Sequence, residues 1–232
     1  MGNRIHPTAI IGEGVELGED NVIGPYTVIV GRCRIGDGNW IAPHVSIGGP
    51  AEYYRGEHPV GWEGEVSGPG VLIGDGNKIR EYVAVNQGIH QTTKVGDGCY
   101  FMARSQIAHD CVIGDGVVMT SAVQLAGHCE VWSGANLGLG TVVHQWSRIG
   151  PGAMLGMGCV VTREVPAFSI SKGVPARATG INVVGLSRRG CGEATIEALR
   201  PYLTGETSKL PADVPDEVAA MLKAWADRPE QA

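Results

Sequence analysis

The sequence predicts an all-β chain wound as a parallel β-helix, and three observations carry that prediction. Apolar residues return at every sixth position: Ile5, Ile11, Leu17, Ile23, Ile29, Ile35, Ile41 and Ile47, then Ile73, Ile79 and Val85, then without a break from Val95 to Val161. A period of six fits neither a 3.6-residue helix nor strand alternation; it is the signature of hexapeptide solenoids. Glycine follows the apolar slot at positions such as Gly12, Gly18, Gly36, Gly74, Gly96 and Gly114, and 36 glycines against 2 phenylalanines suit a chain of many tight corners. Four residues after each large slot comes a smaller one, filled by Ala9, Val15, Thr27, Val45 and their successors.

The elements follow in order. Each hexad supplies one short strand and one corner, and three hexads close a triangular coil. Residues 18 apart therefore stack, about 4.8 Å from one another. The ladder runs from the first residues to a break at 48–71, rich in Gly, Pro and aromatics, where Tyr53, Tyr54 and Trp62 suggest an ordered loop facing a substrate. It resumes, breaks again over 86–93, and continues to Val161. A β-helical unit over 1–185 is expected, followed by a short helical region over 186–232. Glu193–Leu203 is helix-friendly until Pro201, which should end it. Asp216 to Asp227 has Val218, Met221, Leu222 and Trp225 at helical spacing and acidic residues in its first turn. Such a tail should cap the open end of the prism.

Composition removes several classes. A net charge of −6 argues against nucleic-acid binding and offers no polybasic membrane anchor. The sequence contains no run of the length that spans a bilayer, so no stable membrane insertion is expected. The start lacks a signal-segment pattern, and a cytoplasmic protein is the default. Of 6 cysteines, Cys33, Cys99, Cys111, Cys129 and Cys159 fall in the small slot, which makes them core fillers. No CxxC pair suggests a thiolate metal site, and no metal is expected.

Counting in steps of 18 brings three histidines to one edge. From His109 the count reaches Gly127, beside His128, then Gln145, beside His144. His6, His44, His58 and His90 do not join them. Solvated corner histidines are one explanation. A zinc site of three imidazoles is a second, although 128 and 144 fit the β-helical carbonic anhydrase spacing poorly. General-base catalysis of acyl transfer is a third: a neutral imidazole takes a proton from an attacking hydroxyl or amine. The oxyanion then needs a donor, and Gly127, one coil from His109, can offer a closely approachable N–H. Asp110 could orient the base or hold the acceptor, and it could equally be a plain turn residue.

The strings IAHDC at 107–111, LAGH at 125–128, VHQW at 143–146 and GINVVGLSRRG at 180–190 resemble the bacterial UDP-N-acetylglucosamine O-acyltransferases, as do IHPTAIIGEGVELG and IGDGNKIREYV. The resemblance runs to about Gly190. It implies a left-handed helix, a handedness that the period does not supply. It also implies a cytoplasmic homotrimer with active sites between subunits. The activity implied is transfer of a 3-hydroxyacyl group from acyl carrier protein to the sugar 3-position of UDP-N-acetylglucosamine, the first step of lipid A synthesis. No cofactor is implied beyond the donor's acyl-phosphopantetheine.

By the same resemblance His109 is the base and Gly127 the oxyanion donor. Asp110, His128, His144 and Gln145 contact substrate. Asn182, Arg188 and Arg189 lie near the nucleotide phosphates, where a guanidinium pair suits a diphosphate. Met157 occupies the position that sets acyl length, and its bulk implies a short chain. Arg163, Lys172, Arg177, Arg188 and Arg189, against Glu164, suggest a dock for the acidic carrier. Four departures affect substrate binding: Gln106 replaces a second histidine, Asn86-Gln87-Gly88 replaces HRG, Glu52 and Arg55 replace Gln and Lys in the first loop, and the tail is short. These leave open N-acylation of a 3-amino nucleotide sugar or a related sugar, with carrier protein or coenzyme A as donor. A zinc hydratase and a non-catalytic scaffold are the remaining alternatives.

Overall fold

A computed structural model describes residues 2–55 and 68–229, so Trp62 lies outside the described residues. The six-residue pattern folds as read. Two- to five-residue strands stack into three sheets of ten, eight and seven strands among the described residues, parallel but for the last strand of the first, and the coils form a left-handed β-helix. Register confirms the counting rule: Ile5 pairs with Ile23, Ile11 with Ile29 and Leu17 with Ile35. The large slots point inward and are fully buried from Ile23 onward, and the small slots, including five cysteines, pack between them. Burial pushes the Cys33 thiol up to about 12 and Cys99 to about 11, which keeps both protonated. The first coil has nothing beneath it, so inward-facing Ile5 remains 42% exposed.

The corners carry a second order. Asp37, Asp75, Asp97 and Asp115 each accept, through Oδ1, the backbone N–H of the residue stacked one coil earlier, at 2.7–2.9 Å. The buried Asn21, Asn39 and Asn77 form a second ladder that runs the other way: each Oδ1 accepts the backbone N–H of the residue stacked one coil later, the last being Cys99 at 2.7 Å. These side chains satisfy N–H groups that a turning chain leaves unpaired. Both ladders also measure the breaks: the spacing between partners jumps from 18 to 38 across the first and to 22 across the second, then returns to 18.

The last coil ends in an antiparallel hairpin, Ser169–Lys172 with Arg177–Ile181. Three helices follow: α1 (Val183–Ser187), α2 (Glu193–Leu203) and α3 (Asp216–Ala226). The expected boundary at 185/186 thus falls inside α1, because the hairpin continues the sheet after the six-residue beat has stopped. Pro201 does not end α2 as expected. It lies in the last turn, where the bond it removes is one of few remaining, and Thr204 closes the end onto the Arg200 carbonyl. Phe168 and Ile181 share a buried cluster with Leu186, Ile196, Leu199, Val218, Leu222 and Trp225. Trp225 meets Trp132 edge-on at 5.2 Å, and Arg228 pairs with Glu164, so the helices cover both the end of the prism and part of one side.

If the asparagine ladder supports the coils, Asn77→Ala leaves the buried Cys99 N–H without its acceptor and should destabilise the protein by about 1–3 kcal/mol in urea unfolding. Asp75→Ala, at an exposed corner, should have a smaller effect.

Candidate active site

The second break builds the site. It inserts residues into the coil immediately before His109, and the inserted loop folds back over the corner. The backbone N–H groups of Ile89, His90 and Gln91 converge on Asp110 Oδ1 at 3.1, 2.8 and 2.7 Å. The Asp110 N–H is held by Thr93 Oγ1 at 2.9 Å, and its carbonyl receives Gln91 Nε2–H at 2.8 Å. Asp110 is 1% exposed. Burial alone would raise its carboxyl, but the hydrogen bonds from Gln91, His109, His90 and Ile89 together outweigh it and hold the group below the ordinary carboxylate range.

The other carboxylate oxygen, Oδ2, lies 2.8 Å from His109 Nδ1. A carboxylate accepts only, so Nδ1 carries the proton and Nε2 keeps its lone pair. The His109 ring lies over Gly127: a methyl group there would come within 2.6 Å of Nε2. The Gly127 N–H has no hydrogen-bond partner among the described residues, while its carbonyl receives the Trp146 N–H. The Nε2 edge of His109 is thus a close neighbour of Gly127, the residue whose N–H is unpaired among the described residues; a base and an oxyanion donor are the two groups acyl transfer calls for.

The cleft in front of them measures about 430 Å³ and is walled by Glu52, Gln106, Gln124, Gly127, Val142 and Gln145. Glu52 enters from the first break, and its Oε2 accepts Gln106 Nε2–H at 2.7 Å. Two of the departures therefore compensate one another across 54 residues. Asn86 donates to the Pro50 carbonyl at 2.8 Å and ties the two insertions together. Of the first loop it is Glu52 that reaches the cleft, not the tyrosines: Tyr54 is 83% exposed, with the exposed Arg55 over its ring.

The histidine edge is rearranged. His109, His128 and His144 lie at different phases of the corner, because the strict step of 18 relates Asp110, His128 and Trp146 instead. His128 meets His109 edge-on at 5.1 Å and stacks on Trp146 at 3.7 Å, with planes 3° apart. Its Nε2 is 3.6 Å from Asp110 Oδ2, too far for a hydrogen bond. Burial lowers its pKa, the Asp110 charge opposes, and His109 and His90 add to the lowering. His144 is exposed, and its ring N–H meets the Gln145 carbonyl at 3.0 Å. The three imidazoles therefore do not converge on one point. His90, left out of the column by the counting rule, faces His128 at 5.9 Å, because the insertion shifts its phase. His90, Gln91 and Trp146 are the residues that sequence reasoning missed.

Asn182, Arg188 and Arg189 line a separate cleft of about 750 Å³, on the face carrying Val118, Asn136 and Met154. Asn182 Oδ1 caps α1 at Gly185 N, and its Nδ2–H donates to the Gly152 carbonyl. Arg188 is exposed, whereas Arg189 Nε lies 3.2 Å from Glu217. Met157 is 78% exposed on another corner, away from the His109 cleft of its own chain.

Residues 92–127 match the family described as Bacterial transferase hexapeptide (six repeats), and 164–203 match Udp N-acetylglucosamine O-acyltransferase, Domain 2. A protein of Thermodesulfovibrio yellowstonii named acyl-[acyl-carrier-protein]–UDP-N-acetylglucosamine O-acyltransferase is 38% identical over 213 residues, which are 85% of this chain and 82% of that one. The solved UDP-N-acetylglucosamine O-acyltransferase of Moraxella catarrhalis superposes with a TM-score of 0.71 at 30% identity, covering 94% of this chain and 91% of that one. The UDP-N-acetylglucosamine acyltransferase of Campylobacter jejuni gives 0.73 at 25%, covering 98% and 92%.

Asp110→Asn keeps an acceptor for the loop but turns an N–H toward His109 Nδ1, which reverses the tautomer. Turnover should fall about 10²–10⁴-fold in steady-state assays. The stability effect has a defined sign. The folded carboxyl titrates below its unfolded value of about 3.9, so its contribution is present above that pH and is lost as pH falls through the folded value. Wild type should exceed Asp110→Asn in urea midpoint at pH 7, and the gap should close in acid.

Proposed function

The chain belongs to the UDP-N-acetylglucosamine O-acyltransferase family, and we propose that it moves a 3-hydroxyacyl chain from acyl carrier protein to the 3-hydroxyl of UDP-N-acetylglucosamine. Catalysis of this kind opens lipid A synthesis. The observation that carries the reading is the close packing of His109 Nε2 against Gly127, whose N–H has no partner among the described residues. His109 Nε2 takes the proton of the sugar hydroxyl as its oxygen attacks the thioester carbonyl. The carbonyl oxygen gains charge beside the Gly127 N–H. When the tetrahedral centre collapses, the C–S bond breaks and the imidazolium returns its proton to the departing phosphopantetheine thiolate. Asp110 stays ionised throughout and stabilises the imidazolium.

The nucleotide-binding candidates Asn182, Arg188 and Arg189 occupy a different cleft from His109, and Met157 a different corner. A site assembled between copies of the chain, in a homotrimer, would reconcile these positions. Arg163, Lys172, Arg177 and Arg188 make no ion pair among the described residues, while the Glu164 charge is taken by Arg228. They supply the local positive surface that an acidic carrier needs in a protein of net charge −6. Such substrates fit a cytoplasmic enzyme without a resident cofactor, and no described helix is long and apolar enough to cross a membrane.

Purified protein supplied with 3-hydroxyacyl carrier proteins of several lengths should acylate UDP-N-acetylglucosamine, and His109→Ala should lower the rate about 10²–10⁴-fold while its far-UV circular dichroism shows the fold retained. Near-normal turnover in that variant would remove His109 as the base. Running the 3-amino analogue and acetyl coenzyme A in parallel separates ester from amide formation, since mild hydroxide cleaves only the ester, and separates carrier from coenzyme donors.

A further inference from the structure

His128 makes no side-chain hydrogen bond among the described residues, although it packs against Asp110, His109, His90 and Trp146. Its Nε2 stands 3.6 Å from Asp110 Oδ2. That is too long for a hydrogen bond. It is close to the separation of about 3.4 Å between two ligands of one tetrahedral zinc ion with bonds of about 2.1 Å. Oδ2 also lies 2.8 Å from His109 Nδ1, and donor atoms of His109, Asp110 and His128 all fall within 4.8 Å of one another. Two imidazole nitrogens and a carboxylate oxygen make a donor set that suits zinc. The set differs from the three imidazoles weighed from the sequence, since His144 takes no part.

The surroundings are those of a ligand set held in place. The N–H groups of Ile89, His90 and Gln91 grip Asp110 Oδ1 and so aim Oδ2 as a single-oxygen ligand, the support that ligating carboxylates receive from their neighbours. The His128 ring is stacked on Trp146 at 3.7 Å, which fixes its plane. The side chains of His109 and His128 are 14% and 12% exposed, so solvent reaches the pair and can supply the fourth ligand.

We propose that His109 Nδ1, Asp110 Oδ2 and His128 Nε2 form an inhibitory zinc site, in which the metal switches off the base. To bind zinc, Nδ1 gives up its proton, and solvent returns one at Nε2. The imidazole stays neutral, but the lone pair that faces the acceptor is gone. The inhibitory half of the proposal rests on His109 acting as the base; the binding half does not.

The test starts from full-length protein stripped with a chelator and dialysed against zinc chloride. Wild type should hold a single zinc per chain. His128→Ala and His109→Ala should each weaken that affinity at least about tenfold, and His144→Ala should leave it unchanged. Equal affinities in wild type, His128→Ala and His109→Ala would overturn the site. Long-range ¹H–¹⁵N spectra of the imidazoles should show His109 as the Nδ1–H form without metal and as the Nε2–H form with zinc; an unchanged Nδ1–H form in zinc-loaded protein would also overturn it. In acyl transfer assays, turnover should fall in proportion to zinc occupancy and return on adding EDTA. Full turnover at full occupancy, or activity that zinc restores to stripped protein, would overturn the inhibitory role. Absence of acyl transfer in the stripped and the zinc-loaded protein alike would count against the proposed function, whereas the dialysis and the spectra read the metal site without turnover.

Discussion

A corner side chain that accepts the backbone N–H of the coil before it is the contact on which this molecule depends. Packing of apolar slots drives the winding, but it is non-directional and would tolerate slippage between coils. The hydrogen bonds that Asp37, Asp75, Asp97 and Asp115 accept, and those that the asparagines inside accept, fix which residue sits above which. With register fixed, side chains distant in sequence acquire defined neighbours. The catalytic corner inherits its precision from this repetition.

Asp110 is the same device put to a second use. At the structural corners one N–H reaches one carboxylate oxygen. At Asp110 an inserted loop brings three N–H groups to that oxygen. The three donors and the His109 ring together more than offset the burial of the charge, so the carboxyl stays below its ordinary range while its other oxygen orients His109. Gly127 completes the arrangement from the next coil, and only a residue without Cβ leaves room for the His109 imidazole. The function therefore required little departure from the scaffold: four more residues' worth of chain at one corner and one glycine at the next.

What could be read in the sequence was whatever the six-residue beat controls. It foretold the coils, the inward slots, the cysteines as fillers and the one-coil relation of His109 to Gly127. It misled where the beat was interrupted. His90 was set aside because the insertion moves it out of phase, and the three N–H groups on Asp110 have no side-chain signature at all. Trp146 lay within reach: it is 36 positions from Asp110, two coils on, and a count begun at the aspartate rather than the histidine would have found it. The pairing of Glu52 with Gln106 was beyond counting, since a long loop carries no period. The helical end was placed by its own 3.6-residue pattern, except at Pro201, where the cost of a missing N–H depends on distance from the helix end.

A solenoid of this kind sets a general constraint on where chemistry can happen. The interior is filled by its own slots, from Ile23 to Val165. Sites can form only on faces and corners, where clefts are open and water competes for every charge. Acyl transfer from a thioester favours a screened site, because the oxyanion donor is worth more in a low dielectric. One chain supplies two partial screens: the Glu52 loop over the His109 cleft, and the α1 end with Arg188 and Arg189 beside another face. The proposed trimer answers this by setting the face of one prism against the corner of the next, so that oligomerisation supplies the enclosure that a filled β-helix cannot provide from within.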